Sequence, residues 1–253
     1  MSGGLVRRFA DAEQLAQAAA EYFAAVARTA IEARGRFTVA LAGGKTPQRL
    51  YTLLAAPPFN ERLSWDRVEF FWGDERAVPP DHADSNFRMA NEALLGKLAL
   101  AGARIHRMQA ERADLENAAV EYQAEIARVF AVDADGEPPR FDLVLLGLGA
   151  DGHTASLFPC TEATKEEGRW VISNYAPKLD SFRLTFTARI INKAAHVLIL
   201  VAGEDKAEVL AQVLEGERDP WRLPAQLVQP EEGELVWFVD TAAASKLRLT
   251  THD

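Results

Sequence analysis

The chain has 253 residues, with 28 Lys and Arg against 37 Asp and Glu, so its net charge is −9. That acidic balance excludes non-specific nucleic-acid binding, which depends on neutralising phosphates, but leaves room for a small anion in a locally basic pocket. The hydrophobic share of 48% and a chain of this length suffice for a large core, with no disulfide or metal needed for folding.

The spacing predicts a helix over 11–34. Leu15, Ala19, Tyr22, Val26 and Ala30 step by four, three, four and four and share one face. Asp11 is the expected N-cap, with Gln14 three residues on and Gly35 as the stop. Residues 37–42 read as a strand. The turn Gly43-Gly44-Lys45-Thr46-Pro47 opens a second helix, with Thr46 as expected N-cap and Pro47 at the first helical position. Residues 68–72 read as a buried strand ending at Gly73, followed by a polar loop holding Pro79 and Pro80. A helix starting near Asp84 or Ser85 is expected to carry Phe87, Ala90, Leu94 and Leu95 inward. A further helix is expected over 113–129.

Residues 141–146 form a strongly apolar strand, followed by Gly147-Leu148-Gly149-Ala150-Asp151-Gly152-His153. A strand over 197–202 leads to Gly203-Glu204-Asp205-Lys206, which opens a helix running to Leu214. Residues 235–239 read as a late strand. Residues 171–172 and 183–187 read as shorter strands at one edge. Apolar strands alternating with helices indicate an α/β fold with a mainly parallel sheet covered on both faces. Segment 133–140 holds Gly136, Pro138 and Pro139. It reads as a surface loop inside one α/β domain spanning 1–253, because the strand–helix rhythm continues across it.

The single cysteine, Cys160, forms no internal disulfide and leaves no Cys cluster for zinc. That fits a reducing compartment, and a cytoplasmic location is expected. No apolar run approaches the ~18 residues of a membrane span. Residues 1–8 carry charges but no following apolar stretch, so no secretory signal is expected. Ser2 stands where N-myristoylation needs Gly.

In an open α/β sheet, ligands bind beyond the C-terminal ends of the strands. Four polar segments sit at such ends: 43–47, 73–76, 147–154 and 203–206. The first places Gly43, Gly44 and a hydroxyl at a helix N-terminus, which suits a phosphate; a glycine turn with an ordinary Thr46 cap explains it equally well. It is neither a P-loop nor a dinucleotide fingerprint. In the second, Arg76 suits phosphate or carboxylate oxygens, or a solvated loop with an internal Glu–Arg pair. In the third, His153 is a candidate general base, with Asp151 to orient it, to meet substrate hydroxyls or to cap a helix. Glycines this close together imply tight backbone approach. In the fourth, Lys206 opposes a helix dipole, which suits an anionic ligand, an ordinary surface lysine being the alternative. Arg183, in an otherwise uncharged strand, is a similar case. Ser156 does not stand in G-x-S-x-G, and Cys160 reads as a packed residue. His82, His106, His196 and His252 show no metal-ligand spacing.

Segments 41–47, 72–76 (Trp-Gly-Asp-Glu-Arg), 84–86 (Asp-Ser-Asn) and 147–159 together resemble the 6-phosphogluconolactonase family, over 10–245. The resemblance implies an α/β sandwich, Rossmann-like with a small edge substructure, related to glucosamine-6-phosphate deaminase and ribose-5-phosphate isomerase. It implies hydrolysis of 6-phospho-D-glucono-1,5-lactone to 6-phosphogluconate in the oxidative pentose phosphate pathway. No metal or organic cofactor is implied. His153 falls on the family's general base, Asp151 on its partner acid and Arg76 on the arginine after the acidic pair. Gly43, Gly44 and Thr46 fall on the sugar-phosphate cradle, and Arg183 and Lys206 on cations around the phosphate. The family more often has Ser or Thr where this chain has Lys45, which is expected to add a phosphate contact or to point to solvent.

The implied chemistry is direct water attack on the lactone carbonyl, with His153 as base and with Arg76 or backbone N–H groups near the glycines facing the oxyanion. Related deaminases and isomerases resemble this chain in the Asp-Gly-His loop. They carry a Glu soon after the His, where this chain has Leu157-Phe158-Pro159. A non-catalytic sugar-phosphate sensor would need an attached DNA-binding unit, and the chain is too short for one beside a complete sheet. The partner is therefore a sugar-phosphate lactone, with no nucleic acid or membrane, and the chain is expected as a monomer or weak homo-oligomer. Lys45, Arg76, Arg183 and Lys206 are expected to meet around His153 at the strand ends.

Overall fold

The computed structural model describes residues 4–98, 100 and 104–248. In chain order the elements are β1 (Leu5–Phe9), α1 (Ala12–Arg34), β2 (Phe37–Leu41), α2 (Lys45–Leu54), α3 (Phe59–Arg62), β3 (Val68–Trp72), β4 (Asp74–Arg76), α4 (Asn86–Ala93), α5 (Leu115–Phe130), β5 (Leu143–Gly147), β6 (Val171–Ala176), β7 (Ser181–Phe186), α6 (Ala188–Ile191), β8 (His196–Val201), α7 (Ala207–Glu215) and β9 (Glu234–Asp240). Residues 1–3 and His252 lie outside the described residues.

Six strands form a parallel sheet in the order β1-β9-β8-β5-β2-β3. Its central strands are apolar because helices cover both faces. Val39, Leu41, Leu143, Val144, Leu145 and Val197 are fully buried. From β2 the chain winds outward to β3, and from β5 it winds the other way to β8 and β9. The strand order therefore reverses between β2 and β5. Loops leaving these two strands diverge, and a crevice opens between them at the C-terminal ends.

Helix α1 starts and stops as its sequence predicts. Asp11 accepts from the Gln14 N–H at 2.8 Å, and Gly35 ends the helix at φ 74°. Its buried face carries Phe23 and leaves Tyr22 only half-buried. Helix α2 corrects its prediction. It begins at Lys45, its N-cap is Gly44 at φ 103° and ψ 168°, and Thr46 makes no capping bond. A β-carbon is disfavoured at that φ, so the glycine, not the threonine, sets the helix start.

The expected edge strands also need correction. β6 and β7 do not extend the parallel sheet. They form a separate antiparallel sheet, ordered β4-β7-β6, and β4 lies in the segment expected as a polar loop. Gly73 joins the two sheets: its N–H donates to Leu41 O at 2.9 Å, and its carbonyl accepts from Phe186 N–H at 2.7 Å. The chain thus passes from one sheet to the other at the crevice.

Candidate active site at the junction of the two sheets

The segment after Gly73 is not a solvated loop. Asp74 and Glu75 are both buried. One Glu75 oxygen accepts from the Arg76 and Asn86 N–H groups at 2.8 and 2.7 Å; the other accepts from Phe87 N–H and Ser85 Oγ at 2.8 and 3.0 Å. Burial pushes the Glu75 carboxyl up, and the backbone donors pull it back. This carboxylate fastens the N-terminus of α4 to β4. The Ser85 side chain adds the N-cap bond to Arg88 N–H at 3.1 Å. Asp74 accepts from Ser156 Oγ at 2.7 Å and from Asn86 Nδ2 at 3.2 Å. Gly43 is obligatory beside it, since a β-carbon there would meet Asn86 Oδ1 at 1.9 Å.

These contacts aim two arginines. Arg76 on β4 and Arg183 on β7 are direct cross-strand partners. Like charges placed opposite each other destabilise a strand pair, so an anion that bridges them relieves the arrangement. Burial first, and then the Arg76 charge, pull Arg183 below the ordinary arginine value. It stays a cation, because a guanidinium does not deprotonate in a protein. The Arg183 side chain is held by Ser181 Oγ and Phe182 O at 2.6 and 2.8 Å, and Arg76 by Asp84 O at 2.6 Å.

Across the crevice stands the loop after β5. Its turn is closed by Gly149 N–H to His153 O at 2.8 Å and by Thr154 Oγ1 to Gly147 O at 2.8 Å. His153 Nδ1 lies 2.6 Å from Asp151 Oδ1. The Asp151 carboxyl is lowered to about 2, chiefly by this bond, so it is ionised near neutral pH. An ionised acceptor assigns the proton to Nδ1 and leaves the Nε2 lone pair open. Among the described residues Nε2 has no hydrogen-bond partner. The ring packs against Phe158 at 4.5 Å between centroids, and a β-carbon at Gly149 would lie 2.0 Å from Nδ1.

The crevice encloses about 340 Å³ and is lined by Gly43, Gly44, Arg76, Gly149, His153, Arg183 and Lys206, among others. Lys206 does not sit in the first turn of α7 but in the short turn before it, 3.2 Å from Asp205 Oδ2. Asp151 does not line the crevice; it stands behind His153. Lys45 and Thr46 do not line it either. Lys45 is exposed, because the turn at Gly44 carries it to the outside of α2. Three of the four expected cations therefore meet there.

Asp74, Phe158 and Leu179, the last from the β6–β7 hairpin, also form the wall. The sequence marks Asp74 as a charge directly after a buried strand and Phe158 by its place in the 147–159 motif, whereas Leu179 carries no signal. Ser156 directs its hydroxyl to the Asp74 carboxylate rather than to His153, so it is not paired with the histidine. The other described histidines stand elsewhere. His106 lies between Glu69 and Glu125, His196 beside Tyr22, and His82 beside Asp84. Among the described residues no group of His, Cys, Asp and Glu is arranged to hold a metal. No helix among them is long and apolar enough to cross a membrane.

The family profile described as glucosamine-6-phosphate isomerases/6-phosphogluconolactonase matches residues 10–237. A 6-phosphogluconolactonase of Synechocystis sp. is 46% identical over 219 residues, covering 87% of this chain and 88% of the relative. The structure of 6-phosphogluconolactonase from Thermotoga maritima superposes with a TM-score of 0.78 at 31% identity, covering 93% of this chain and 99% of that one. The enzyme of that name from Trypanosoma brucei gives 0.85 at 29% identity, covering 96% and 98%. With its fold, its strand-end crevice and these likenesses, the chain belongs to the glucosamine-6-phosphate isomerase/6-phosphogluconolactonase family.

Proposed function

We propose that this chain hydrolyses 6-phospho-D-glucono-1,5-lactone to 6-phosphogluconate in the oxidative pentose phosphate pathway. The observation that carries the reading is the His153–Asp151 pair, with Nε2 open, facing the opposed Arg76 and Arg183 across one crevice. In this reading Arg183, Lys206 and the backbone at Gly43 and Gly44 hold the phosphate. Binding energy from the phosphate positions the distant carbonyl. His153 Nε2 takes a proton from water as the water oxygen attacks that carbonyl. The resulting oxyanion is met by Arg76 or by backbone N–H groups of the glycine turns. Collapse breaks the bond to the ring oxygen, and His153 returns the proton there. Asp151 holds the ring and offsets its transient charge.

Phe158 speaks against the sugar-phosphate isomerase or deaminase alternative, because a phenyl ring against His153 relays no proton along a sugar carbon chain. We take 1–253 as one catalytic domain, working in the cytoplasm as a monomer or weak homo-oligomer; the single cysteine supports a reducing compartment. The test is acid release from freshly made lactone, corrected for spontaneous opening, beside turnover of glucosamine 6-phosphate. The expected result is lactone turnover only. Deamination with the lactone left at its spontaneous rate would overturn the reading.

A further inference from the structure

The Asp151 carboxylate has two oxygens, and only one is occupied by His153. The other, Oδ2, lies 3.7 Å from Lys178 Nζ. Lys178 comes from the tip of the β6–β7 hairpin, a separate element from the loop that carries the histidine. The tip is braced by its own contacts. Pro177 opens the short turn, Asp180 takes a left-handed φ of 45° and accepts from the Tyr175 hydroxyl, and Tyr175 and Phe182 pair across the strands at 5.0 Å. Leu179, the next residue, lines the crevice, but Lys178 does not.

That placement separates Lys178 from the other cations. Arg76, Arg183 and Lys206 line the crevice, where a bound substrate offsets their charge. A phosphate brings negative charge toward His153, which favours the imidazolium and leaves less of the ring free to take a proton from water. Asp151 acts in the same direction from behind the ring, and Asp74 adds a buried carboxylate in the wall, already bonded to Ser156 and Asn86. Phe158, on the ring face, is neutral. Lys178 bears on the pair from outside the crevice lining.

We propose that Lys178 is a positioning residue that shares the Asp151 carboxylate with His153 and thereby weakens the pair's hold on a proton at Nε2. The proposal rests on the lactonase reading for its purpose, since a base loaded by its own anionic substrate needs such a counterweight. The lysine is 77% exposed, so its effect is screened and modest.

The test compares wild type, Lys178→Gln and Lys178→Glu by two readouts: the acidic midpoint of kcat/KM for the lactone, and the NMR titration of the His153 ring in the unliganded protein. Losing the cation is expected to raise both midpoints by roughly 0.3–0.5 pH unit, and reversing it by about twice that. High salt should erase the difference. Lys193→Gln changes the net charge equally at the opposite end of the sheet, where Lys193 pairs with Glu231, and should shift neither midpoint. Titration of Lys178→Gln and Lys178→Glu on the wild-type curve would overturn the proposal. Absence of lactone turnover in wild type would overturn the functional reading instead, while the ring titration still decides whether Lys178 bears on the pair.

Discussion

In the parallel sheet the strands beside the crevice bury Val39, Leu41, Leu143, Val144 and Leu145 at zero to one per cent exposure, and apolar burial holds them together. The antiparallel sheet, one residue away through Gly73, buries Leu184, Phe186, Val171 and Ile172 too, but adds the buried polar groups Asp74, Glu75, Asn174 and Thr185, joined by hydrogen bonds. The first sheet fixes where the strand ends lie. The second decides which charges stand over them. Stability and ligand grip should therefore separate when each sheet is cut in turn.

The largest effect is expected in the parallel sheet. Leu143→Ala removes a fully buried side chain that does not line the crevice and should cost about 2–5 kcal/mol in urea unfolding, with kcat/KM of the folded protein retained. A loss of kcat/KM at unchanged stability would break the division between the sheets. Arg183→Ala sharpens it from the other side. Removing one charge-assisted contact should raise KM for the lactone by about 10–100-fold, with kcat held. Relief of the Arg76 repulsion should leave thermal stability equal or higher; a drop in both kcat and stability would show Arg183 to be part of the scaffold.

The smallest effect concerns acid. Folding lowers the Asp151 carboxyl from 3.8 to about 2, with the His153 bond the main cause. The stabilisation is therefore complete above the unfolded value and fades as pH falls through about 2. Asp151→Asn should unfold more readily than wild type in mild acid, and the gap should close at the lowest pH. Because the pair is partly exposed, the gap is small. Parallel acid-unfolding curves with no closing gap would contradict this.

The same division explains what could be read from the residues alone. The β2, β3, β5, β8 and β9 strands are visible as apolar runs, and α1 is visible from its face and both its caps. β1 was missed because Leu-Val-Arg-Arg-Phe is an edge strand with Arg7 exposed, and it carries no apolar run. β4 was missed because Asp-Glu-Arg looks solvated; its burial rests on bonds from Ser85, Asn86 and Phe87 at the start of α4 and from the distant Ser156. His153, Asp151, Arg76 and Arg183 were visible from the resemblance and their places at strand ends. Lys45 takes the solvent-facing one of its two expected placements, and no sequence spacing distinguishes the two. Lys178 gave no signal at all, because its meaning comes from a hairpin that folds back onto Asp151.

If His153 is the base in lactone hydrolysis, its loss shows in kcat/KM for 6-phospho-D-glucono-1,5-lactone, compared between wild type and His153→Ala at neutral pH, with spontaneous opening subtracted and folding of both confirmed by circular dichroism. The expected result is a fall of about 10²–10⁴-fold, with KM little changed. Equal rates in the two folded proteins would contradict it.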